Sequence, residues 1–146
     1  LQCSAGSFQA AKGATACTVC PLSSWCAEGS SAPTPCSAGS VGKEFGLTES
    51  SGCAACEPGY WCSAGKAIAC PKDTYNDATG RINQGACKPC SSNAQSEVAS
   101  VSPVSCKCVA GYFDRSPAAE NVVCARCPVG ARCEVAGAAL KPPGTE

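Results

Sequence analysis

Residues 53–62 read Cys53-Ala54-Ala55-Cys56-Glu57-Pro58-Gly59-Tyr60-Trp61-Cys62. Two cysteines separated by two residues can be a redox pair, half of a zinc site, or the ends of two different disulfides. Each answer implies a different protein, so the surrounding chain has to decide.

Sixteen cysteines in 146 residues is the density of a disulfide scaffold in a secreted chain, and the number is even. Such usage argues against a reducing cytosol and for an extracellular or cell-surface location. The apolar fraction of 45% overstates the available core, because much of it is Ala and Cys and Met is absent. Burial at roughly 25 cal/mol per Å² by so few large side chains would not offset a backbone entropy of about 1–2 kcal/mol per residue. A disulfide closing a loop of about 15 residues contributes roughly 3 kcal/mol in the chain-entropy model, so local bridges can order a chain that packing alone cannot.

The net charge is zero, which supplies no basic field for nucleic acid. No apolar run is long enough to span a membrane, and membrane contact is expected only through segments outside this chain. The chain starts at Leu1 without a signal peptide, so it is read as an internal piece of a longer, processed protein.

Working outward from the quoted stretch, the cysteines fall into four sets of four. These are Cys3, Cys17, Cys20, Cys26; Cys36, Cys53, Cys56, Cys62; Cys70, Cys87, Cys90, Cys106; and Cys108, Cys124, Cys127, Cys133. The repeat is 33 to 38 residues long. Only the third set stretches its last gap, from five intervening residues to fifteen. The implied units are residues 1–35, 36–69, 70–107 and 108–146, the last including a C-terminal linker. The residues after each first cysteine also repeat: Ser4-Ala5-Gly6, Ser37-Ala38-Gly39 and Val109-Ala110-Gly111, with Pro71-Lys72-Asp73 in the third unit. A glycine at that position suits a turn with positive φ. No window has helical periodicity, and Gly, Pro, Ser and Asn keep strands to a few residues. The expected fold is small and disulfide-rich. It is an elongated tandem array with little helix and a short β-hairpin between the first and second cysteines of each unit.

Residues 70–124, with Ala86-Cys87-Lys88-Pro89-Cys90, Val104-Ser105-Cys106-Lys107-Cys108 and Val109-Ala110-Gly111-Tyr112-Phe113, resemble the cysteine-rich region of ephrin-receptor ectodomains. The other units are similar to shorter ephrin-receptor-like repeats, which are related to tumour-necrosis-factor-receptor and epidermal-growth-factor-like modules. A proline that follows the third cysteine in that family stands at Pro21 and Pro128, but Glu57 and Ser91 replace it elsewhere. The resemblance implies an extracellular spacer or assembly module and carries over no ligand-binding residue. It also implies a pairing, because a Cys-x-Cys step such as Cys106-Lys107-Cys108 separates two bridges in growth-factor modules. By repetition, first cysteines bond to second and third to fourth. The crossed scheme, first to third and second to fourth, is the competing arrangement.

The remaining residue patterns have plainer readings than metal, redox or acid–base chemistry. Structural zinc ribbons set their CxxC knuckles closer together than these, and the chain has no His. A thioredoxin-like role needs a βαβ context that is missing. Without His, and with acidic residues such as Glu28, Glu57, Glu97, Glu120 and Glu134 scattered, no acid–base pair stands out. Neither catalysis nor a cofactor or metal is therefore expected. Asp73 and Asp77 could offer oxygens to calcium, but Asx turns are the plainer reading. Trp25 and Trp61 each precede a fourth cysteine and are expected to cover a disulfide. As a receptor surface they would converge with Tyr60 and Phe113 on one face. Arg115, Arg126 and Arg132 are read as solvated charge. No Asn-x-Ser/Thr sequon occurs, and segments 30–35 and 100–103 are candidates for O-linked sugars or proline hydroxylation.

Two functions fit. One is a non-enzymatic rod within a large cell-surface or extracellular assembly, whose partners are other chains or flanking domains. The other is a ligand-binding fragment of a receptor ectodomain. Repeats of this kind also occur in large surface proteins of algae and other protists, including components resembling those of flagellar hairs, and the Ala, Gly and Ser bias is compatible with that source.

Overall fold

The structure is a computed structural model and describes residues 2–116, 121–131 and 133. All sixteen cysteines are bridged. The pairs are Cys3–Cys17, Cys20–Cys26, Cys36–Cys53, Cys56–Cys62, Cys70–Cys87, Cys90–Cys106, Cys108–Cys124 and Cys127–Cys133. The fold is small and disulfide-rich, with no α-helix among the described residues. Its helical content is three 3-10 turns, Ser50–Gly52, Gln84–Ala86 and Pro103–Ser105, each leading into the closing cysteine of a long bridge.

The strands form seven separate antiparallel hairpins. They are β1 (Ser7–Phe8) with β2 (Thr18–Val19), β3 (Ser24–Trp25) with β4 (Thr34–Pro35), and β5 (Ser40–Val41) with β6 (Ala54–Ala55). Then come β7 (Tyr60–Ser63) with β8 (Lys66–Ala69) and β9 (Thr74–Tyr75) with β10 (Lys88–Pro89). The last two are β11 (Ala94–Gln95) with β12 (Lys107–Cys108) and β13 (Tyr112–Asp114) with β14 (Cys124–Arg126). Seven hairpins therefore form among the described residues where one per cysteine set would give four, and they are not confined to the stretch between first and second cysteines. In the first three long-bridge units the outer strand lies beyond the second cysteine, on the two residues inside each CxxC.

That placement answers the question posed by Cys53-Ala54-Ala55-Cys56. Cysteines three apart on an extended strand point to opposite faces, and their Cα atoms are separated by about 10 Å. A disulfide spans 4.4–6.8 Å between Cα atoms, so the two cannot bond to each other. Cys53 reaches back to Cys36 and Cys56 forward to Cys62, at Cα separations of 5.9 and 5.7 Å.

A finer period underlies the four units. Cys3, Cys20, Cys36, Cys56, Cys70, Cys90, Cys108 and Cys127 each begin a half-unit of common design. Three residues on, the backbone turns left-handed, at Gly6, Ser23, Gly39, Gly59, Asp73, Asn93, Gly111 and Gly130. Asn and Asp tolerate this region through local hydrogen bonding, and Gly enters it freely. At six of them, Gly6, Ser23, Gly39, Gly59, Asp73 and Gly111, two backbone bonds then grip that residue. Its carbonyl accepts from the next leading cysteine, as Cys20 N–H to Gly6 (2.9 Å), Cys56 to Gly39 (2.9 Å) and Cys70 to Gly59 (2.9 Å). Its N–H donates to the carbonyl six residues past that cysteine: Gly6 to Cys26 (2.8 Å), Gly39 to Cys62 (3.0 Å), Gly59 to Asn76 (2.8 Å) and Asp73 to Ser96 (3.0 Å). These bonds cross the expected boundaries at 35/36 and 69/70, because Ser23 pairs with Gly42 and Cys36, and Gly59 with Asn76 and Cys70. Half-units are thus welded in series.

The stretched gap of the third set has a structural explanation. Cys26, Cys62 and Cys133 stand six residues past their leading cysteines, and in the half-unit led by Cys90 that place belongs to Ser96. Ser96 is buried, its Oγ donating to the Thr74 carbonyl (2.9 Å) and its N–H to Asp73 Oδ1 (3.2 Å). A hydroxyl thus takes the sulfur's position by finding hydrogen bonds. Cys90 bridges instead to Cys106, and Cys106-Lys107-Cys108 has one residue where CxxC has two. Elsewhere the residue four past a leading cysteine faces the one just before the next, as Ser40↔Ala55. Here Ala94 faces Cys108 itself, and Val109 N–H takes over the bond to Asn93 (2.8 Å).

The interior is a spine of sulfur and backbone. Cys20, Cys26, Cys56, Cys62 and Cys70 are fully buried, and the one buried aliphatic side chain among the described residues is Val41. Asn76 is buried too, its Nδ2 donating to the Tyr60 carbonyl (2.8 Å) and its Oδ1 accepting from Ala78 N–H (3.1 Å). Alternate half-units also touch. A methyl group built on Gly39 would lie 2.7 Å from the Gly80 carbonyl oxygen, and one on Gly59 would collide with the Ala99 carbonyl.

Gly59→Ala is expected to destabilise the protein by about 2 kcal/mol, combining a left-handed non-glycine residue with a backbone clash. Thermal unfolding of the oxidised protein measures this, and an unchanged melting temperature would contradict the close approach. Mild thiol reduction should open Cys3–Cys17 before Cys20–Cys26, because Cys17 is exposed while both sulfurs of the second bridge are buried. Alkylation and mass spectrometry of quenched intermediates would give the order.

Candidate interaction surface

The aromatic residues singled out by the sequence sit along the spine. Trp25, Trp61, Tyr60 and Phe113 are all half-buried. Tyr60 packs against the Val41, Cys56 and Cys62 cluster. Trp25 lies on β3 opposite Thr34, and Trp61 on β7 opposite Ile68, so each is one side of its own hairpin. The Trp61 indole Nε1 is buried without a hydrogen-bond partner among the described residues.

The exposed apolar surface comes from residues that sequence reasoning passed over. Phe45 is 67% exposed and Leu22 45%. With Pro21, Val41 and Ala67 they line an open hollow of about 610 Å³ that carries Lys43 and Lys66 on its wall. It is built from three successive half-units: the turn after Cys20, the loop after β5, and the β7–β8 hairpin end. Lys43 is ion-paired with Glu57, both half exposed or more. The signal available in the sequence was an aromatic residue beside a turn glycine, Phe45-Gly46, in an otherwise polar loop. A second hollow of about 320 Å³ lies between Tyr75, Pro89, Pro103, Cys106 and Val122, where Ser91 Oγ donates to the Val122 carbonyl.

The charged candidates are held in separate places. Asp73 accepts from the Ser96 backbone, whereas Asp77 Oδ1 receives Lys88 Nζ (3.1 Å), and that ammonium also stands 5.8 Å from the Tyr75 ring centre. The Lys88 hydrogen bond holds the Asp77 carboxyl below its ordinary range. Asp114 is lowered as well, first by the Ser116 hydroxyl (2.6 Å), then by Ser116 N–H (2.9 Å) and Val123 N–H (3.3 Å). These bonds tie the start of the loop after β13 to its return. Arg115 and Arg126 are exposed, while Arg132, Glu120, Glu134 and the linker 134–146 lie outside the described residues. Of the candidate modification segments, Ser31, Thr34 and Pro35 are exposed, and the Ser102 hydroxyl caps the third 3-10 turn by accepting from Val104 N–H (3.3 Å).

With every thiol oxidised, no thiolate remains for a metal or for exchange chemistry in this state. Among the described residues no helix is long and apolar enough to cross a membrane. The bridged fold fits an oxidising, extracellular setting. No protein-family model matches the chain, and no curated protein matches it.

Because the folded Asp114 carboxyl titrates below its unfolded value, its contribution is complete above the ordinary aspartate range. It is lost as pH falls through the lowered value. The protection factors of the Ser116 and Val123 amides, measured against the intrinsic exchange rate at each pH, should therefore fall on acidification below pH about 4, with Asp114→Asn flattening that dependence. Equal acid sensitivity in the variant would count against the carboxylate clamp.

Proposed function

We propose that the chain is a non-enzymatic extracellular structural module, a disulfide-clamped rod within a larger cell-surface or matrix assembly. The observation that carries this reading is the serial weld. Six of the eight left-handed turns, at Gly6, Ser23, Gly39, Gly59, Asp73 and Gly111, are gripped by the next half-unit through the same two backbone bonds, and bridges close only over sequence separations of 6 to 17 residues. A chain whose contacts run to the next half-unit and the one after it grows in length rather than in girth. The resemblance to ephrin-receptor-like repeats supports the same context, as does the cystine density. Binding would use exposed loops and hairpin edges along the rod, and repeated weak contacts sum through avidity.

One observation favours a receptor fragment as the second reading: Phe45 and Leu22 form an exposed apolar hollow, the kind of feature that anchors a protein partner. Small-angle scattering and sedimentation velocity on the secreted, oxidised protein test the first reading. They should report a monodisperse particle far more elongated than a sphere of its mass, and a compact globule would overturn the rod. Tight, saturable binding to cell surfaces that Phe45→Ala abolishes without changing that shape would select the receptor reading instead.

A further inference from the structure

The β7–β8 hairpin carries an unpaired edge. Its turn is Ala64-Gly65, both left-handed with φ 50° and 78°, the two-residue connection that sets Ser63 opposite Lys66. The backbone groups of Tyr60 and Cys62 bond away from β8. Cys62 N–H donates to the Arg81 carbonyl (2.8 Å), and its carbonyl accepts from Gly39 N–H (3.0 Å). Tyr60 N–H donates to the Glu57 carbonyl (3.3 Å), and its carbonyl accepts from Asn76 Nδ2 (2.8 Å). Their cross-strand partners Ala67 and Ala69 are therefore the non-hydrogen-bonded positions of the ladder, with N–H and C=O turned to the outer edge of β8. Neither has a backbone partner there among the described residues, and Lys66, Ala67 and Ile68 are exposed.

The Phe45 hollow opens directly beside this edge. Val41 bridges Gly65 in parallel, and Gly42 N–H donates to the Gly65 carbonyl (3.1 Å). The Gly42 carbonyl then turns to Ser23 N–H (2.9 Å) and the chain leaves toward Phe45, so the hollow lies where β5 and β8 part. The internal contacts around it are already made. Gly42 and Cys36 grip Ser23 from the next half-unit, and a methyl group built on Gly65, in the half-unit after that, would collide with the Ser23 carbonyl. The hollow is what these contacts leave over. Both charged residues on its wall are lysines. Lys43 is paired with Glu57, whereas Lys66 makes no ion pair among the described residues.

We infer that the β8 edge and the hollow beside it receive an extended segment of a partner protein, apolar with a carboxylate at its end, added antiparallel as a third strand. The residue opposite Ala67 exchanges both backbone bonds with it. Its side chain falls on the face that carries Tyr60 and Cys62, which is the face packed on Val41, so an aliphatic group there enters the hollow beside Phe45 and Leu22. The next residue, opposite Lys66, lies on the other face, where a carboxylate pairs with the free ammonium. The segment leaves the edge at that point, because the Gly65 carbonyl is already bonded to Gly42. A second copy of this chain is the poorer occupant, since it would bring its own Lys43 and Lys66 to the same place. The inference rests on the reading that binding uses hairpin edges along the rod. It fails separately from that reading, since the elongated shape is measured without any peptide.

Titration of the full, oxidised, isotope-labelled chain with the capped peptide acetyl-Thr-Ser-Val-Leu-Glu-Gly-amide is the test, its Leu placed to face Ala67 and its Glu to face Lys66. Saturable binding should slow amide exchange at Ala67 and Ala69. Phe45→Ala and Lys66→Glu change exposed side chains and should each weaken binding at least about tenfold. A peptide with Lys in place of its Glu should prefer the Lys66→Glu variant over the wild type, and methylation of the Leu nitrogen, which removes the donor to the Ala67 carbonyl, should abolish binding. Absence of binding at millimolar peptide overturns the inference, as does binding that leaves exchange at Ala67 and Ala69 unchanged or that tolerates Lys66→Glu. Protection of those two amides that rises with protein concentration in the absence of peptide makes a second copy the occupant and overturns it equally.

Discussion

A left-handed turn three residues past a leading cysteine, held at six of its eight occurrences by two backbone hydrogen bonds from the next half-unit, is the constraint on which this structure depends. The cysteine fixes where the turn begins, and the bonds fix where the following chain must lie. Where that turn is a glycine, the absence of a side chain lets the half-unit beyond approach to contact distance. Cystines then close the loops between successive grips. Hydrophobic burial is secondary, with Val41 the single buried aliphatic side chain described.

Substitutions within this scheme follow its physics. Ser96 replaces a cysteine because the carbonyl at that position is what the preceding turn requires, and the side chain need only be small, buried and satisfied. Asp73 and Asn93 replace glycine where the left-handed backbone is needed, as residues that tolerate it. Shortening CxxC to Cys-x-Cys at 106–108 shifts a strand register by one residue and moves the bond to the Asn93 carbonyl onto Val109, so that half of the grip survives the deletion.

Such an arrangement suits a spacer. Its stability is distributed among short covalent loops, so no single large core has to be assembled. Its large apolar side chains are not all drawn inward, and Phe45 stays exposed.

Much of the architecture was legible in the sequence. Cysteine number, spacing and the scarcity of large apolar residues determine a small disulfide-rich array with little helix, because no other source of order is available. The recurrence of Ser-Ala-Gly after Cys3 and Cys36 marks the left-handed turns. The half-unit period was not visible, since its eight copies share only a cysteine and a backbone conformation that Gly, Ser, Asp and Asn all satisfy. The equivalence of Ser96 with Cys26 and Cys62 was hidden for the same reason: it is defined by a main-chain carbonyl, and the side chains there differ. Phe45 as an exposed anchor could not be read either, because exposure depends on which half-units surround a loop. Tertiary structure alone decided that Gly39 meets Gly80 and Gly59 meets Ala99, contacts between residues some forty positions apart that rest on backbone proximity and leave no periodic pattern of side chains to detect.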